Sequence, residues 1–262
     1  MNRAVVVACT LPMILRLAPA TTLAQQEASQ PPPQTKAERI GDRAISGLVA
    51  WKVSPAENLL ANNEKDLATT PEYKTALGYL RAIQGNAEEG IALLQDAAKA
   101  KPTDPAPHFC LGSVLYWQKK YDDANSAWKT ARDRGKSLVD VNAADSRAQY
   151  YMGASQVRLK QFGPARKALS AARDAGFDPA LVGFQLGLSY ALEEKWQDAV
   201  NAFDAVASSD PKFAHVYFYR GLAWDKLDRK DKMLIDMDRF VELAPTAPEA
   251  GIARTYLSAA KR

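Results

Sequence analysis

Residues 184–211 read FQLGLSYALEEKWQDAVNAFDAVASSDP and decide the fold of the chain. The segment contains two amphipathic helical patterns that are separated by a short polar turn. In the first pattern Gly187 is followed three residues later by Tyr190. In the second pattern Ala199 is followed four residues later by Phe203, and a proline then closes the segment because it cannot continue a helix. The segment therefore predicts a helical hairpin with one apolar stripe on each helix.

The same pattern recurs in register along most of the chain. Glycine recurs at spacings of 34, 41, 34 and 34 residues, at Gly78, Gly112, Gly153, Gly187 and Gly221. Twelve residues after these glycines lie Gly90, Ala124, Ala165, Ala199 and Met233. Sixteen residues after them lie the larger side chains of Leu94, Trp128, Leu169, Phe203 and Met237. The closing proline is present at Pro102, Pro211 and Pro245. The joint recurrence of these positions indicates a chain of similar hairpins.

These positions resemble the signature of the tetratricopeptide repeat (TPR), which is L-G-x2-Y, then A-x3-F, then P, at a period of about 34 residues. The resemblance covers residues 71–247 and, more weakly, residues 37–70. It implies an all-α fold, a TPR-type α-solenoid in which antiparallel helix hairpins form a right-handed superhelix. Each hairpin is too small to bury its apolar stripe alone, so that neighbouring hairpins bury one another.

The repeat register predicts the domain boundaries. We expect a signal peptide at residues 1–24, a Pro/Gln-rich disordered linker at 25–36 and a TPR solenoid at 37–262. The solenoid is divided into a degenerate repeat at 37–70, repeats at 71–104, 105–138, 146–179, 180–213 and 214–247, and a capping helix at 248–262. Gly135 is expected to end the second helix of its repeat. The additional residues of the 41-residue spacing are predicted to form either an elongated helix or a surface loop.

The first 24 residues have the pattern of an export signal. Arg3 supplies a positive start, residues 4–15 are largely apolar, and small residues precede a plausible cleavage site after Ala24. We therefore expect a periplasmic or secreted protein. An organellar transit peptide is the alternative, because no acidic residue occurs before Glu27.

Composition and motifs give no support to catalysis. The 262 residues have a net charge of +4, with both signs interspersed, and no basic block suited to nucleic acid. The two histidines, His108 and His215, are not in a metal-binding arrangement, and no nucleophile motif is present. We expect no enzyme activity, no catalytic residue, no metal, no cofactor, no nucleic-acid partner and no membrane span.

The resemblance implies that the first helix of each hairpin lines the concave side of the superhelix. An apolar and aromatic stripe along these helices predicts a groove for a partner peptide or helix. The candidate groove residues are Tyr79, Phe109, Tyr116, Trp117, Tyr150, Arg158, Phe184, Leu188, Phe218 and Asp225. Alternatively, Phe109, Tyr150, Phe184 and Phe218 pack as core between adjacent first helices. Tyr79, Tyr116 and Trp117 are expected to be exposed.

We interpret the chain as a non-enzymatic scaffold or adaptor of the cell envelope, which binds a protein or peptide partner in this groove. One alternative is a structural repeat protein that associates with itself. A second alternative is a small-ligand carrier or an enzyme that uses the groove.

Overall fold

The computed structural model describes residues 34–259, which contain fourteen helices and no strand. The helices are α1 (Lys36–Val49), α2 (Val53–Ala61), α3 (Glu64–Leu67), α4 (Pro71–Ile83), α5 (Ala87–Ala100), α6 (Pro105–Trp117), α7 (Tyr121–Val141), α8 (Ser146–Arg158), α9 (Phe162–Asp174), α10 (Pro179–Leu192), α11 (Trp196–Ser209), α12 (Ala214–Lys226), α13 (Lys230–Leu243) and α14 (Ala250–Ala259). The all-α prediction is confirmed. The predicted leader and most of the predicted linker lie outside the described residues.

Five hairpins follow one another along the chain. They are formed by α4 and α5, α6 and α7, α8 and α9, α10 and α11, and α12 and α13, with α14 packed against α13. The second helix of each hairpin packs against the first helix of the next. Consecutive first helices also contact each other, so α4, α6, α8, α10 and α12 form a continuous row. This row is the part of the fold that positions the site.

Glycine is required where the two helices of a hairpin cross. A Cβ atom on Gly187 would lie only 2.3 Å from Cε1 of Phe203, well inside van der Waals contact. The same is true of Gly112, whose Cβ would lie 2.5 Å from Nε1 of Trp128. The large residue sixteen positions after the glycine therefore occupies the space that the missing side chain leaves free.

The turn inside each hairpin contains one residue in the left-handed backbone region. These residues are Gly85, Lys119, Lys160, Glu194 and Asp228. Trp51 adopts the same conformation, with φ 61°, in the turn between α1 and α2. Trp51 lies 34 residues before Gly85, so the α1–α2 hairpin keeps the register of the repeats. A bulky residue rarely adopts a positive φ, which shows that its surroundings fix this turn.

The 41-residue spacing is explained by the length of α7. This helix has 21 residues, whereas the second helices of the other four hairpins have 13 or 14. The elongated-helix alternative is therefore the observed one. The prediction that Gly135 ends the helix is wrong, because Gly135 is buried inside α7 and a Cβ there would lie 2.9 Å from Cβ of Met152. No helix within residues 34–259, α7 included, has the length and apolar character needed to cross a membrane.

Candidate functional site: the inner face and helix α1

The row of first helices forms a surface that we call the inner face, and helix α1 lies across it. Helix α1 packs against α4 at one end. Its polar groups, and those of the turn that follows it, contact residues at the starts of α8, α10 and α12. A regular first helix packs only against its own hairpin and the adjacent ones. Helix α1 therefore occupies the surface that sequence reasoning assigned to an external partner.

The apolar side of α1 is fully buried in this position. Ala44, Ile45 and Leu48 are each 2% exposed or less. At the crossing with α4 the backbones come so close that a Cβ on Gly41 would lie 3.0 Å from the carbonyl oxygen of Glu72. The small residue in α1 thus has the same role as the glycines within the regular hairpins, which is to allow close helix approach.

A buried cluster of charges joins α1 to the first helices α6 and α8. Nε of Arg147 donates to both carboxylate oxygens of Asp42 in α1, at 3.0 Å each. Nη1 of the same guanidinium donates to Oδ1 of Asp104 at 2.7 Å, and the hydroxyl of Tyr151 donates to Asp42 at 3.0 Å. Burial raises the pKa of Asp42, while the charge of Arg147 and these hydrogen bonds act in the opposite direction. The cluster fixes the position of α1 along the row, because it ties α1 both to α8 and to the residue that precedes α6.

Two aspartates near the starts of first helices also contact the α1–α2 hairpin. Asp178 caps α10 through Oδ1, which accepts from the backbone of Ala180 at 2.9 Å. Its Oδ2 accepts from the hydroxyl of Ser46 in α1 at 2.6 Å. Asp210, which precedes α12, accepts from Nζ of Lys52. The carboxylates that precede α10 and α12 therefore contact α1 or the turn that follows it.

The turn after α1 meets the last complete repeat. The backbone N–H of Ala214 donates to the carbonyl of Ala50 at 3.1 Å. Nδ1 of His215 is hydrogen-bonded with the carbonyl of Val49 at 2.7 Å, and its ring lies edge-on to Trp51 with centroids 5.5 Å apart. The α1–α2 hairpin therefore contacts the solenoid over its whole length, from α4 to α12.

The amino-terminal end of α1 is held by a capping box and an ion-pair bridge. Thr35 caps the helix, and Glu38 completes the box by accepting from the backbone of Thr35. Lys101 links Glu38 at 2.9 Å to Glu72 of α4 at 2.7 Å. Burial alone would raise the pKa of Glu38, but the hydrogen bonds from Lys101 and Thr35 outweigh it and leave this pKa lowered. The hydrogen bonds from Lys101 and Thr35 therefore favour the ionised form of Glu38.

Most of the predicted groove residues are buried. Six of them are 6% exposed or less: Tyr79, Phe109, Tyr150, Phe184, Leu188 and Phe218. The structure thus places Phe109, Tyr150, Phe184 and Phe218 in the core, as the alternative interpretation had it. The prediction that Tyr79 is exposed is wrong, because Trp117 stacks on its ring with centroids 5.4 Å apart.

The remaining four predicted residues do not form one surface. Tyr116 is 52% exposed and packs against Tyr121 and Trp128, on the side of the second helix. Trp117 is 44% exposed, and it lines a cavity together with Arg158. Asp225 is partly buried in the last turn of α12 and does not line that cavity. Of the predicted set, only Trp117 and Arg158 combine accessibility with a concave surface.

Sequence reasoning missed the residues that hold α1. Asp42 and Ser46 lie in the segment that the register assigned to a degenerate repeat, and Arg147 and Asp178 lie at helix starts. The available signal was that Arg147 is a charged residue at a buried position of a first helix. No pattern in a single sequence pairs it with a residue 105 positions earlier. Within residues 34–259 no group of His, Cys, Asp or Glu could hold a metal ion.

The comparisons with known proteins agree with the geometry. Residues 184–248 match the family described as Tetratricopeptide repeat. This match supports the tetratricopeptide-repeat resemblance that the sequence pattern indicated. The crystal structure of TTC0263, a thermophilic TPR protein of Thermus thermophilus, is similar with a TM-score of 0.57 and 18% identity, over 74% of this chain and 100% of that one.

A second similar structure is that of the APC/C hetero-tetramer Cut9–Hcn1. Its TM-score is 0.52 at 15% identity, over 85% of this chain and 42% of that one. At such identities the likeness establishes the TPR fold alone. No curated protein matches the chain.

Proposed function

We propose that this TPR protein is a non-enzymatic interaction scaffold whose inner face receives an amphipathic helix, and that a partner helix takes the place of α1. The TPR fold is one that binds proteins or peptides. The observation that supports the finer proposal is the position of α1, which occupies the inner face from α4 to α12.

The ligand class follows from what the inner face already accepts. Helix α1 is a regular 14-residue helix and not an extended strand. Its buried residues Gly41, Ala44, Ile45 and Leu48 recur at helical spacing, which is the pattern of helix-in-groove recognition. The partner should therefore present a small residue facing α4, an aliphatic stripe after it, and a carboxylate within reach of Arg147.

Helix α1 competes with such a partner by mass action. A segment tethered to its own site has an effective concentration on the order of millimolar. An external helix with the same intrinsic affinity is therefore disfavoured until α1 is weakened. The apparent affinity for the partner equals its intrinsic affinity multiplied by the fraction of molecules in which the inner face is free. Binding of the partner therefore requires release of α1 from the inner face.

The test uses the helix itself as the probe. A fluorescent peptide of residues 34–52 is titrated into the chain from residue 25 and into its Gly41→Leu variant. Leucine at this position clashes with Glu72 of α4 and loosens the tethered α1. We expect the variant to bind the peptide at least about tenfold more tightly than the unaltered chain, because its inner face is free.

Two controls make this result specific. Gly251→Leu adds the same side chain in α14, where nothing lies within 4 Å of the new Cβ, and it should leave peptide binding unchanged. A peptide carrying Asp42→Arg should bind neither protein, because two guanidinium groups would face each other. Equal binding to all three proteins, or no binding to the Gly41→Leu variant, would contradict the proposal.

We also propose that the protein acts outside the cytoplasm, in the cell envelope. The support is the pattern of residues 1–24, with its positive start, apolar centre and small residues before position 25. N-terminal sequencing of the exported protein should begin at Gln25. An intact residue 1 in a chain that stays in the cytoplasm would contradict this part of the proposal.

A further inference from the structure

The polar groups of α1 that contact the solenoid recur every four residues. They are the side chains of Glu38, Asp42 and Ser46, and the carbonyl of Ala50 follows at the same interval. Four residues advance an α-helix by about 6 Å and return to nearly the same face. These groups therefore form one polar line along α1, and each of them meets a later part of the chain than the one before.

The first two groups of this line are carboxylates, and each meets a cation. Nζ of Lys101, which follows α5, lies 2.9 Å from a carboxylate oxygen of Glu38. Nε of Arg147 in α8 donates to both carboxylate oxygens of Asp42 at 3.0 Å. Each cation also donates, at 2.7 Å, to a carboxylate of the solenoid itself. Both cations therefore keep one anchor when α1 leaves the inner face.

The side chains that come next are donors, and they meet carboxylates. Oγ of Ser46 donates to Oδ2 of Asp178 at 2.6 Å, and Lys52 in the turn after α1 pairs with Asp210. Oδ1 of Asp178 accepts from the backbone of Ala180 at 2.9 Å, so the cap of α10 holds this carboxylate in place. The inner face therefore offers cations to the first half of α1 and carboxylates to the second half.

We propose that this order of charges selects the partner helix and fixes its direction, which rests on the proposed exchange of α1 for a partner. The helix carries two carboxylates four residues apart, followed one to three turns later by hydroxyl or ammonium donors. A helix docked in reverse would bring its carboxylates to Asp178 and Asp210, and like charges in contact suppress a wrong pairing. Lys101, Arg147 and Asp178 therefore determine specificity, whereas the apolar stripe contributes affinity.

A charge exchange tests the first position of the line. The probes are labelled peptides of residues 34–52, and the protein is the chain from residue 25 with Gly41→Leu, in which α1 is loosened. On this protein the unaltered peptide should bind at least about threefold more tightly than the Glu38→Lys peptide. Adding Lys101→Glu to the protein should reverse the preference, because the new lysine then meets a carboxylate.

A second exchange tests the donor position and keeps the helix cap. Asp178→Asn retains the side-chain oxygen that caps α10 and replaces the other oxygen by an N–H donor. With Asp178 in place, a Ser46→Asp peptide should bind at least about tenfold more weakly than the unaltered peptide, because two carboxylates meet. With Asp178→Asn the two peptides should bind about equally.

The readout in both exchanges is the ratio of two affinities on one protein. Both peptides compete with the same tethered α1, so this ratio does not depend on how much of the inner face is free. An Arg39→Glu peptide is the control, because Arg39 is exposed and its guanidinium is hydrogen-bonded to Gln34 of the same segment. Its affinity relative to the unaltered peptide should agree within about twofold on all three proteins.

The proposal and the exchange of α1 fail separately. If the unaltered peptide binds but neither preference changes, the order of charges does not select the helix and the proposal is overturned, while the exchange stands. If no peptide binds, the exchange fails, and hydrogen exchange on the chain from residue 25 still tests the order. There Glu38→Lys and Lys101→Glu should each lower the protection of α1, and together they should restore it. Additive losses would overturn the proposal.

Discussion

Helices α1 and α10 have the same length and the same place in a hairpin, but they pack differently. Each has 14 residues, and each is followed by a turn with a left-handed residue, Trp51 or Glu194. Helix α10 packs mainly against its neighbours in the stack, whereas α1 packs against α4 and makes polar contacts at the starts of α8, α10 and α12. The repeat register therefore determines that a hairpin forms, and a few polar pairs determine where the hairpin lies.

The two helices also differ in what holds them. The contacts of α10 are mainly with neighbouring helices of the stack, and Phe203 fills the space beside Gly187. Those of α1 add a buried charge cluster around Arg147 and Asp42, which are 105 residues apart. A buried ion pair contributes little net stability, but the loss of one partner is costly because a charge is left unpaired. Polar contacts thus make the position of α1 specific.

The largest effect is expected from breaking the charge cluster that holds α1. Arg147→Met leaves the carboxylates of Asp42 and Asp104 buried without their partner, and we expect a loss of about 3 to 5 kcal/mol in the free energy of unfolding. Urea unfolding measures this loss, and hydrogen exchange should show that α1 loses protection before α10. The double variant Arg147→Met, Asp42→Asn should recover part of the loss. Equal loss of protection in both helices would contradict the distinction drawn between them.

A smaller effect is expected from a change inside a regular hairpin. Gly187→Ala places a Cβ 2.3 Å from Phe203, and overpacking of this kind costs about 1 to 3 kcal/mol. Gly251→Ala is the matched control in α14, where nothing lies within 4 Å and the helix gains up to about 1 kcal/mol. Thermal unfolding should therefore shift in opposite directions for the two variants. A shift in the same direction would show that the glycines of the register are not close-approach positions.

The smallest effect is the pH dependence of the bridge at the start of α1. The pKa of Glu38 is lowered from its ordinary value of 4.5 in the folded protein. The stability from its pair with Lys101 is therefore present above about pH 4.5 and is lost as the pH falls through the folded value. Because the pair is partly exposed, we expect less than about 1 kcal/mol. Glu38→Gln should reduce the loss of stability between pH 6 and pH 3.5, and an unchanged acid transition would contradict the assignment.

The periodicity of the sequence predicted the fold because the repeat is local. The glycine at each crossing, the large residue sixteen positions later and the turn between them all lie within one hairpin, so one sequence contains the whole pattern. The position of α1 depends on contacts between residues more than 100 positions apart, such as Ser46 with Asp178. Those contacts do not recur from repeat to repeat, and the residue types that make them are also common on solvated helix faces. A single sequence therefore does not reveal them.

The predicted groove shows the same limit. The stripe along the first helices was identified correctly as apolar, but an apolar stripe has the same pattern whether a partner or the chain itself covers it. Phe184 and Phe218 are covered within the fold. Arg158 differs from the stripe by its charge, and it lines a cavity together with Trp117.

Zero-length carbodiimide cross-linking of the unaltered chain tests the position of α1 most directly. The contacts described here predict isopeptide bonds between Lys52 and Asp210, and between Lys101 and Glu38, within one molecule. The contact between Lys136 and Asp140 within α7 is the internal control for the reaction. Mass spectrometry of a mixture of ¹⁴N- and ¹⁵N-labelled protein should find the first two links only within chains of one label. The control link without the Lys52–Asp210 link, or that link only between differently labelled chains, would contradict the placement of α1 on its own inner face.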